Sequence, residues 1–343
     1  MGKVGPTTRD LAVAAGVSLA TVDRVLNLRV GVQSKTIARV TEAAQKIGFV
    51  RDISAANLSR SRNYSFLFVL PQVGDQFLGE LVANIEEANQ AFAGERVTVE
   101  AKKINVSDPH FVARFLSEID PKRYNGLAIM VPESPQVRDA VDHLGERGVK
   151  AIQFLSGQPL GNAIDFVGTD NYASGATAGS LMHRFLHSGT GKIVVISETM
   201  QSLSSIERRL GFDNIIARNL PNIKVLPSLE TYGDDARAQK IIGNTFKNYS
   251  DIVGFYVVSS EARLPIEIVS QYAEAKNLIR IAHERTPFTE QALQRGELDA
   301  VIAQNPGHVV RSAVRILRAR CDQREPLASQ ENIRIEILLK ENL

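Results

Sequence analysis

Thr7-Thr-Arg-Asp-Leu-Ala-Val-Ala-Ala-Gly16-Val-Ser-Leu-Ala-Thr-Val-Asp-Arg-Val-Leu-Asn27 is the stretch from which the rest of this 343-residue chain can be read. It predicts two short helices with a tight turn between them. The first runs from Arg9 to Ala15, with Leu11, Ala12 and Ala15 recurring at roughly the 3.6-residue period of a half-buried helix. Thr7 stands at the N-cap, and Asp10 three residues on can reach back as the acidic member of a capping box. Gly16 supplies the left-handed exit that helix C-termini favour. Ser18 caps the second helix, which runs to about Leu26 and buries Val22, Val25 and Leu26. Leu19, Ala20, Asp23, Arg24 and Asn27 are left on its outer faces. A short helix, a glycine turn and a capped second helix make a helix-turn-helix unit, whose second helix enters the DNA major groove.

A third helix is expected over Ser34–Ile47, after a loop turning at Gly31, with Ile37, Val40, Ala44 and Ile47 inward. Charge supports a nucleic-acid partner. Residues 1–62 hold ten Lys/Arg against four Asp/Glu, a surplus of six, whereas the whole chain carries only +2. The remaining residues are therefore net acidic by four. A small basic head on a mildly acidic body is the layout of a DNA reader attached to something else.

These residues resemble a known family. Thr-Arg-Asp-Leu-Ala, then Ala-Gly-Val-Ser, then Ala-Thr-Val-x-Arg-Val-Leu-Asn is similar to the N-terminus of the lactose/galactose-repressor (LacI/GalR) family. The likeness continues through Val32, Thr36, Val40, Ala43, Ala44, Ile47, Gly48 and Phe49. It is tight over the first 60 residues and loose beyond. The resemblance implies that Leu19 and Ala20 occupy base-reading positions; both are apolar and suit thymine methyls. Arg24 is the candidate donor to guanine, and Ser18, Thr21 and nearby backbone N–H groups are expected on phosphates. Asn27 completes the face. Asp23 departs from the family's usual Ser. Asp52–Arg60 would be the hinge helix, with Leu58 as a minor-groove wedge and Ala55 beside it; Arg51 stands where the family usually has Pro.

From Tyr64 onward, short apolar runs alternate with helix-length stretches. Strands are expected at 65–71, 97–105, 126–132, 151–156 and 166–169, then at 192–197, 223–230, 254–259, 279–283, 300–304 and near 333–339. Such alternation predicts parallel sheets covered on both faces. Two successive sets predict two similar subdomains, and the resemblance implies a type I periplasmic-binding-protein-like effector domain. The expected division is a helix-turn-helix domain at 1–50, a hinge at 51–62, and an effector-binding domain at 63–343 whose chain crosses between subdomains near 171, 286 and 306.

Ligand in such a fold binds at the carboxyl ends of strands. Residues matching the family's cleft are Asp75 and the stacking aromatic Phe77, then Thr169, Asp170, Arg208 of the Arg-x-x-Gly-Phe motif, Ser259, Glu284 and Gln304. Glu284 falls where the family usually has Asp, and Ser156 where ribose-type proteins carry Asp. Acids, an Arg and an aromatic are the groups a polyol needs. Each of these residues also reads as an ordinary helix cap or solvated loop residue.

Other signals carry less. Gly189-Thr-Gly-Lys192 lacks the first glycine of a phosphate loop and precedes its strand. His183 and His187 lack the Glu of a metalloprotease helix. His283 beside Glu284 could serve acid–base work, but no nucleophile motif accompanies it. A single Cys321 excludes an internal disulfide. No apolar run approaches the roughly 18–20 residues of a membrane span, and Met-Gly-Lys-Val-Gly-Pro has no secretory core. The expectation is a cytoplasmic, homodimeric transcription regulator, repressing by default. It would bind a near-palindromic operator and respond to a sugar, polyol or sugar phosphate, without metal, cofactor or enzymatic activity. A periplasmic-type solute receptor or an enzyme on the same fold are the competing readings.

Overall fold

The computed structural model describes residues 6–26, 31–49, 62–156, 165–186, 189–272 and 277–343. The chain divides into two units, Met1–Arg62 and Asn63–Leu343. Expectations placed on Asn27, Ala55, Leu58, the 52–60 hinge and His187 lie outside the described residues.

The first unit contains α1 (Thr8–Ala15), α2 (Leu19–Leu26) and α3 (Ser34–Ile47). The capping box forms as its residues dictate: the Thr7 hydroxyl accepts from Asp10 N, and Thr7 N donates to the Asp10 carboxylate at 2.7 Å. Gly16 ends α1 at φ +61. Thr21 N donates to the Ser18 hydroxyl at 3.1 Å, so Ser18 caps α2. Leu11, Ala12, Ala15, Val22, Val25, Val40 and Ala43 form the core. Ile37 departs from expectation. It is 40% exposed, while Ala43 is buried. Around α3 the inward face centres on Val40 and Ala43, and Ile37 in the first turn falls to its flank.

The second unit opens with β1 (Tyr64–Pro71), α4 (Gln76–Phe92), β2 (Val97–Ile104), α5 (Pro109–Ser117), β3 (Gly126–Ile129), α6 (Pro135–Glu146), β4 (Lys150–Phe154) and β5 (Asp165–Val167). These strands form a parallel five-stranded sheet in the order β2-β1-β3-β4-β5. The strands are apolar on both faces (Phe66, Leu67, Phe68, Val69 and Leu70 are all buried), because helices cover both sides.

After α7 (Asn171–Phe185) come β6 (Gly191–Ser197), α8 (Leu203–Asn219), β7 (Ile223–Val225), β8 (Leu229–Glu230), α9 (Asp235–Asn248) and β9 (Ile252–Val257). Then follow α10 (Arg263–Val269), β10 (Ile279–His283), α11 (Pro287–Arg295), β11 (Ala300–Ala303), α12 (Pro306–Cys321), α13 (Ala328–Glu331) and β12 (Glu336–Leu338). The second sheet runs β12-β11-β10-β9-β6-β7, with β8 also on β6. The strand expected over 223–230 is split in two. Pro227 lies at the break, where it cannot donate to the ladder.

The topology corrects one crossing. The chain passes from the first sheet to the second between β5 and α7. It returns between β11 and α12, whose Val309, Val310, Val314 and Leu317 pack in the first sheet's core. It passes over again between α13 and β12, which pairs antiparallel with β11. The segment near 286 is not a crossing. There β10 leads into α11 and straight back to β11 in the same sheet, the ordinary short return of a parallel unit. Cys321 is half-buried against the first core, its thiol donating to the Asn125 carbonyl at 3.6 Å.

One contact sets the geometry of the second subdomain. A Cβ at Gly175 on α7 would lie 1.8 Å from the carbonyl oxygen of Arg208, and one at Gly211 on α8 would lie 2.0 Å from that of Tyr172. The two helices cross backbone against backbone, which only glycine at both positions permits.

Candidate functional site

In the first unit, α2 presents an outer face that is apolar at its N-terminal end and charged further along. Leu19 is 46% exposed, and Ala20, Asp23 and Arg24 are exposed. Thr21 is half-buried, its hydroxyl 2.8 Å from that of Ser18. The Ser18 side chain therefore serves helix capping in this conformation. Arg39 on α3 donates to the Gly16 carbonyl at 3.4 Å, tying the turn to the third helix.

In the second unit, the strand ends bring four expected residues into one hydrogen-bonded network. Arg208, 7% exposed, donates to Glu284 Oε1 from Nη2 at 2.8 Å, to Asn171 Oδ1 from Nε at 3.1 Å, and to the Val258 carbonyl from Nη1 at 3.1 Å. Gln304 Nε2 donates to the same Glu284 oxygen at 3.2 Å. Its Oε1 accepts from Thr169 N at 3.3 Å. Thr169 and Gln304 sit on two of the three crossing segments; Glu284 directly follows β10 and Arg208 lies on α8. The network therefore links two of the crossing segments to side chains at the strand ends.

Burial is the largest influence on Glu284, which is 2% exposed, and pushes its carboxyl above the usual range. Arg208 and Gln304 pull the other way, and Asp75 adds to the rise. Glu284 also adopts φ +65, as do Leu155 (φ +60) and Tyr232 (φ +53) near the ends of their strands. Left-handed backbone in such residues is strained, and strain of this kind gathers at functional sites.

The other expected residues are placed differently. Asp75 accepts from Leu78 N at 3.1 Å as the N-cap of α4, and Asp170 accepts from Ala173 N at 2.9 Å as that of α7. Ser259 accepts from Glu198 N at 3.2 Å. Phe77 is 4% exposed within the first core, so in this conformation its ring packs in the interior instead of lining a cleft. His283 is buried too. Its Nε2 lies 2.7 Å from the Tyr256 hydroxyl, and burial, with Arg208 nearby, holds its pKa well below the ordinary value. It is a neutral core residue, inaccessible for proton transfer.

Asn171 and Glu198 belong to the region and escaped the sequence reading. Asn171 had a usable signal, adjacency to Asp170 at the start of a helix. Glu198 had none, since only the sheet order sets it beside Ser259.

Residues 66–325 match the periplasmic binding protein domain family, and residues 7–52 match the bacterial regulatory proteins of the lacI family. The chain belongs to the periplasmic binding protein domain family. Its head is of the lacI type. The chain is 24% identical over 189 residues to the HTH-type transcriptional regulator DegA of Bacillus subtilis (strain 168), covering 55% of each. It is 34% identical over 80 residues to the HTH-type transcriptional repressor CytR of Escherichia coli (strain K12), covering 23% of this chain and 24% of CytR. The chain thus spans about half the length of DegA and a quarter of CytR. Among solved structures, a solute binding protein of an ABC transporter from Burkholderia graminis C4D1M, in complex with D-arabinose, matches with a TM-score of 0.71 at 21% identity. That match covers 82% of this chain and 96% of the other. At that identity the likeness establishes the fold.

The binding-protein body accounts for the position of the network. In a two-sheet fold of this type the C-terminal strand ends of both halves face a shared cleft, and Thr169, Ser259, Glu284 and Gln304 all stand at or just beyond such ends. Across the halves, Phe288 N at the start of α11 donates to Gln76 Oε1 at the start of α4, 3.1 Å away. No helix among the described residues is long and apolar enough to cross a membrane, and no group of acids, His and Cys among them could hold a metal ion.

Proposed function

We propose that this protein is a ligand-responsive transcription regulator, a homodimer that binds a near-palindromic operator in the cytoplasm and represses by default. One observation carries the reading: a basic helix-turn-helix head and a two-sheet cleft body stand in one chain. A head without a cleft would bind DNA constitutively; a cleft without a head would only carry solute. The relatives DegA and CytR, named as a transcriptional regulator and a transcriptional repressor, support the same assignment.

On the head, Arg24 reads guanine, Leu19 and Ala20 contact thymine methyls, and Ser18, Thr21 and Asn27 lie along phosphates. Ala55 and Leu58 serve the minor groove at the operator centre. In the body, a sugar-like polyol occupies the cleft beside Arg208, Glu284, Gln304, Thr169, Asp75, Asp170 and Ser259. Binding works by a ligand-shifted equilibrium between two body conformations, only one of which suits operator binding. Glu284, Gln304 and Thr169 form the continuous path from ligand to crossing segments. The buried, neutral His283 and the absence of a nucleophile motif favour a binding role over catalysis.

The test is selection of DNA from a random pool by the full chain, followed by titration of the complex with a panel of sugars and polyols. Enrichment of a two-fold symmetric site, and a change in its affinity with one panel member that also raises Tm, is the expected result. Failure to enrich any site would remove the DNA role. Turnover of the bound compound would return the enzyme reading.

A further inference from the structure

We propose that the contact between Gln76 and the start of α11 is a latch, which sets how much of the time the two halves of the body are closed before an effector arrives. The proposal deepens the two-conformation reading above and rests on it.

The contact joins the halves away from the crossing segments. Gln76 opens α4 in the first half, and Phe288 lies in the first turn of α11 in the second. The first N–H groups of a helix have no partner in the regular ladder, so each must find one elsewhere. In α11 they can be accounted for one by one. Pro287 has no N–H to offer. Thr289 N donates to the Thr286 hydroxyl at 3.2 Å, and Glu290 N to the Thr286 carbonyl at 3.0 Å. That leaves Phe288 N, and the acceptor it finds belongs to the other half: Gln76 Oε1, 3.1 Å away. Both ends are firmly held. Asp75 caps α4 through Leu78 N, and Phe77 and Leu78 are buried in the first core. On the other side, the Thr289 hydroxyl accepts from Thr286 N at 2.9 Å and donates to the Glu284 carbonyl at 2.9 Å. The capping box of α11 therefore ties the latch to the backbone of the cleft carboxylate.

Both partners are protein groups, so the contact favours closure without any ligand atom. Gln76 supplies a neutral acceptor at the positive end of α11. A neutral hydrogen bond beside water shifts an equilibrium by about two- to ten-fold. Driving a two-state body from almost fully open to almost fully closed takes about 10⁴-fold. The latch can therefore bias closure but cannot impose it, and an effector keeps control. An effector that binds the closed form gains apparent affinity in proportion to the closed fraction. Residue 76 thus sets the sensitivity of the response without touching the effector. A carboxylate in its place would hold harder, because charge-assisted hydrogen bonds are roughly twice as strong and a helix N-terminus favours negative charge.

The test measures closure directly, in the full chain with no ligand added. Spin labels at Glu87→Cys on α4 and Gln294→Cys on α11, both exposed positions, report the separation of the halves by pulsed dipolar spectroscopy in a Cys321→Ser background. Labelled chain is diluted into unlabelled chain so that distances within one chain dominate. Gln76 is exposed, so replacing it disturbs no core. Gln76→Ala should lower the ratio of short to long distances by about two- to ten-fold, and Gln76→Glu should raise it. Two distance populations whose ratio is the same in the parent and both variants overturn the latch and leave the two-conformation reading standing. A ratio that both variants move in the same direction does so too. A single population, identical in all three proteins, overturns both.

Discussion

At the scale of single residues, the buried pair Arg208–Glu284 decides most. Side-chain exposures of 8% and 3% leave little water to screen it. Removing one member of such a pair leaves the other charge uncompensated, at a cost of about 3–5 kcal/mol. Arg208→Ala is therefore expected to destabilise the body as well as abolish the effector response. The pH dependence follows from Glu284. Burial already raises its carboxyl above the ordinary range, and loss of Arg208 raises it further. A carboxyl raised in the folded state favours folding where it is protonated, and that contribution is lost as pH rises through the raised value. The destabilisation should thus be largest near pH 8 and shrink as pH falls toward the ordinary glutamate pKa of about 4.3. Arg208→Ala combined with Glu284→Gln should recover part of it. Denaturant unfolding across pH 5–8 is the measurement; a loss independent of pH would show that Glu284 does not carry the charge. On the head, Arg24→Ala should cost about 1–3 kcal/mol at one base pair and relax specificity there. Equal weakening on random DNA would assign Arg24 to a phosphate.

At the scale of elements, the crossing of α7 and α8 sets how deep Arg208 sits. Gly175 lies against the backbone of Arg208 itself, so an added methyl cannot be absorbed by turning a side chain. Gly175→Ala should push α8 outward, lengthen the Arg208–Glu284 contact and lower Tm by several degrees. Overpacking a tight core costs about 1–3 kcal/mol even where side chains can yield. Gly145→Ala, with open space around its Cβ position, is the control and should leave Tm nearly unchanged. Differential scanning calorimetry of both variants decides it; equal effects would mean that the crossing is loose. Elements were largely legible in the sequence because their signals are local. The capping box, the Gly16 exit, the apolar strands and the helix starts at Pro109 and Pro135 all act within a few residues. Two elements were less legible. The inward position expected of Ile37 does not form, because apolar character alone cannot fix which edge of a three-helix face is covered. The run 223–230 has the apolar character of one strand, although Pro227 interrupts its ladder.

At the scale of the whole molecule, charge is divided between the units. The surplus of six in residues 1–62 against a net acidic remainder predicts that non-specific DNA binding is almost wholly electrostatic. Two heads making on the order of six to ten phosphate contacts should lose about 10³–10⁵-fold in affinity between 50 and 200 mM salt. Fluorescence anisotropy on random-sequence duplex measures this, and a loss under ten-fold would show that those charges do not face phosphate. The sequence by itself determined the two-part organisation, the helix-turn-helix and the alternation of strands and helices, because period, capping and motif spacing are short-range properties, and it named four residues, Thr169, Arg208, Glu284 and Gln304, that the fold joins by hydrogen bonds. Only the tertiary structure decided what those residues do there. It placed the third crossing after α13, because β10 and β11 pair as neighbours and the chain need not leave their sheet near 286. It sent Phe77 into the core and made Asp75 and Asp170 helix caps. It brought Glu198 to Ser259, which lies 61 positions away. Sheet order and burial fix such neighbours, and both depend on how distant strands pair, which no local run of sequence encodes.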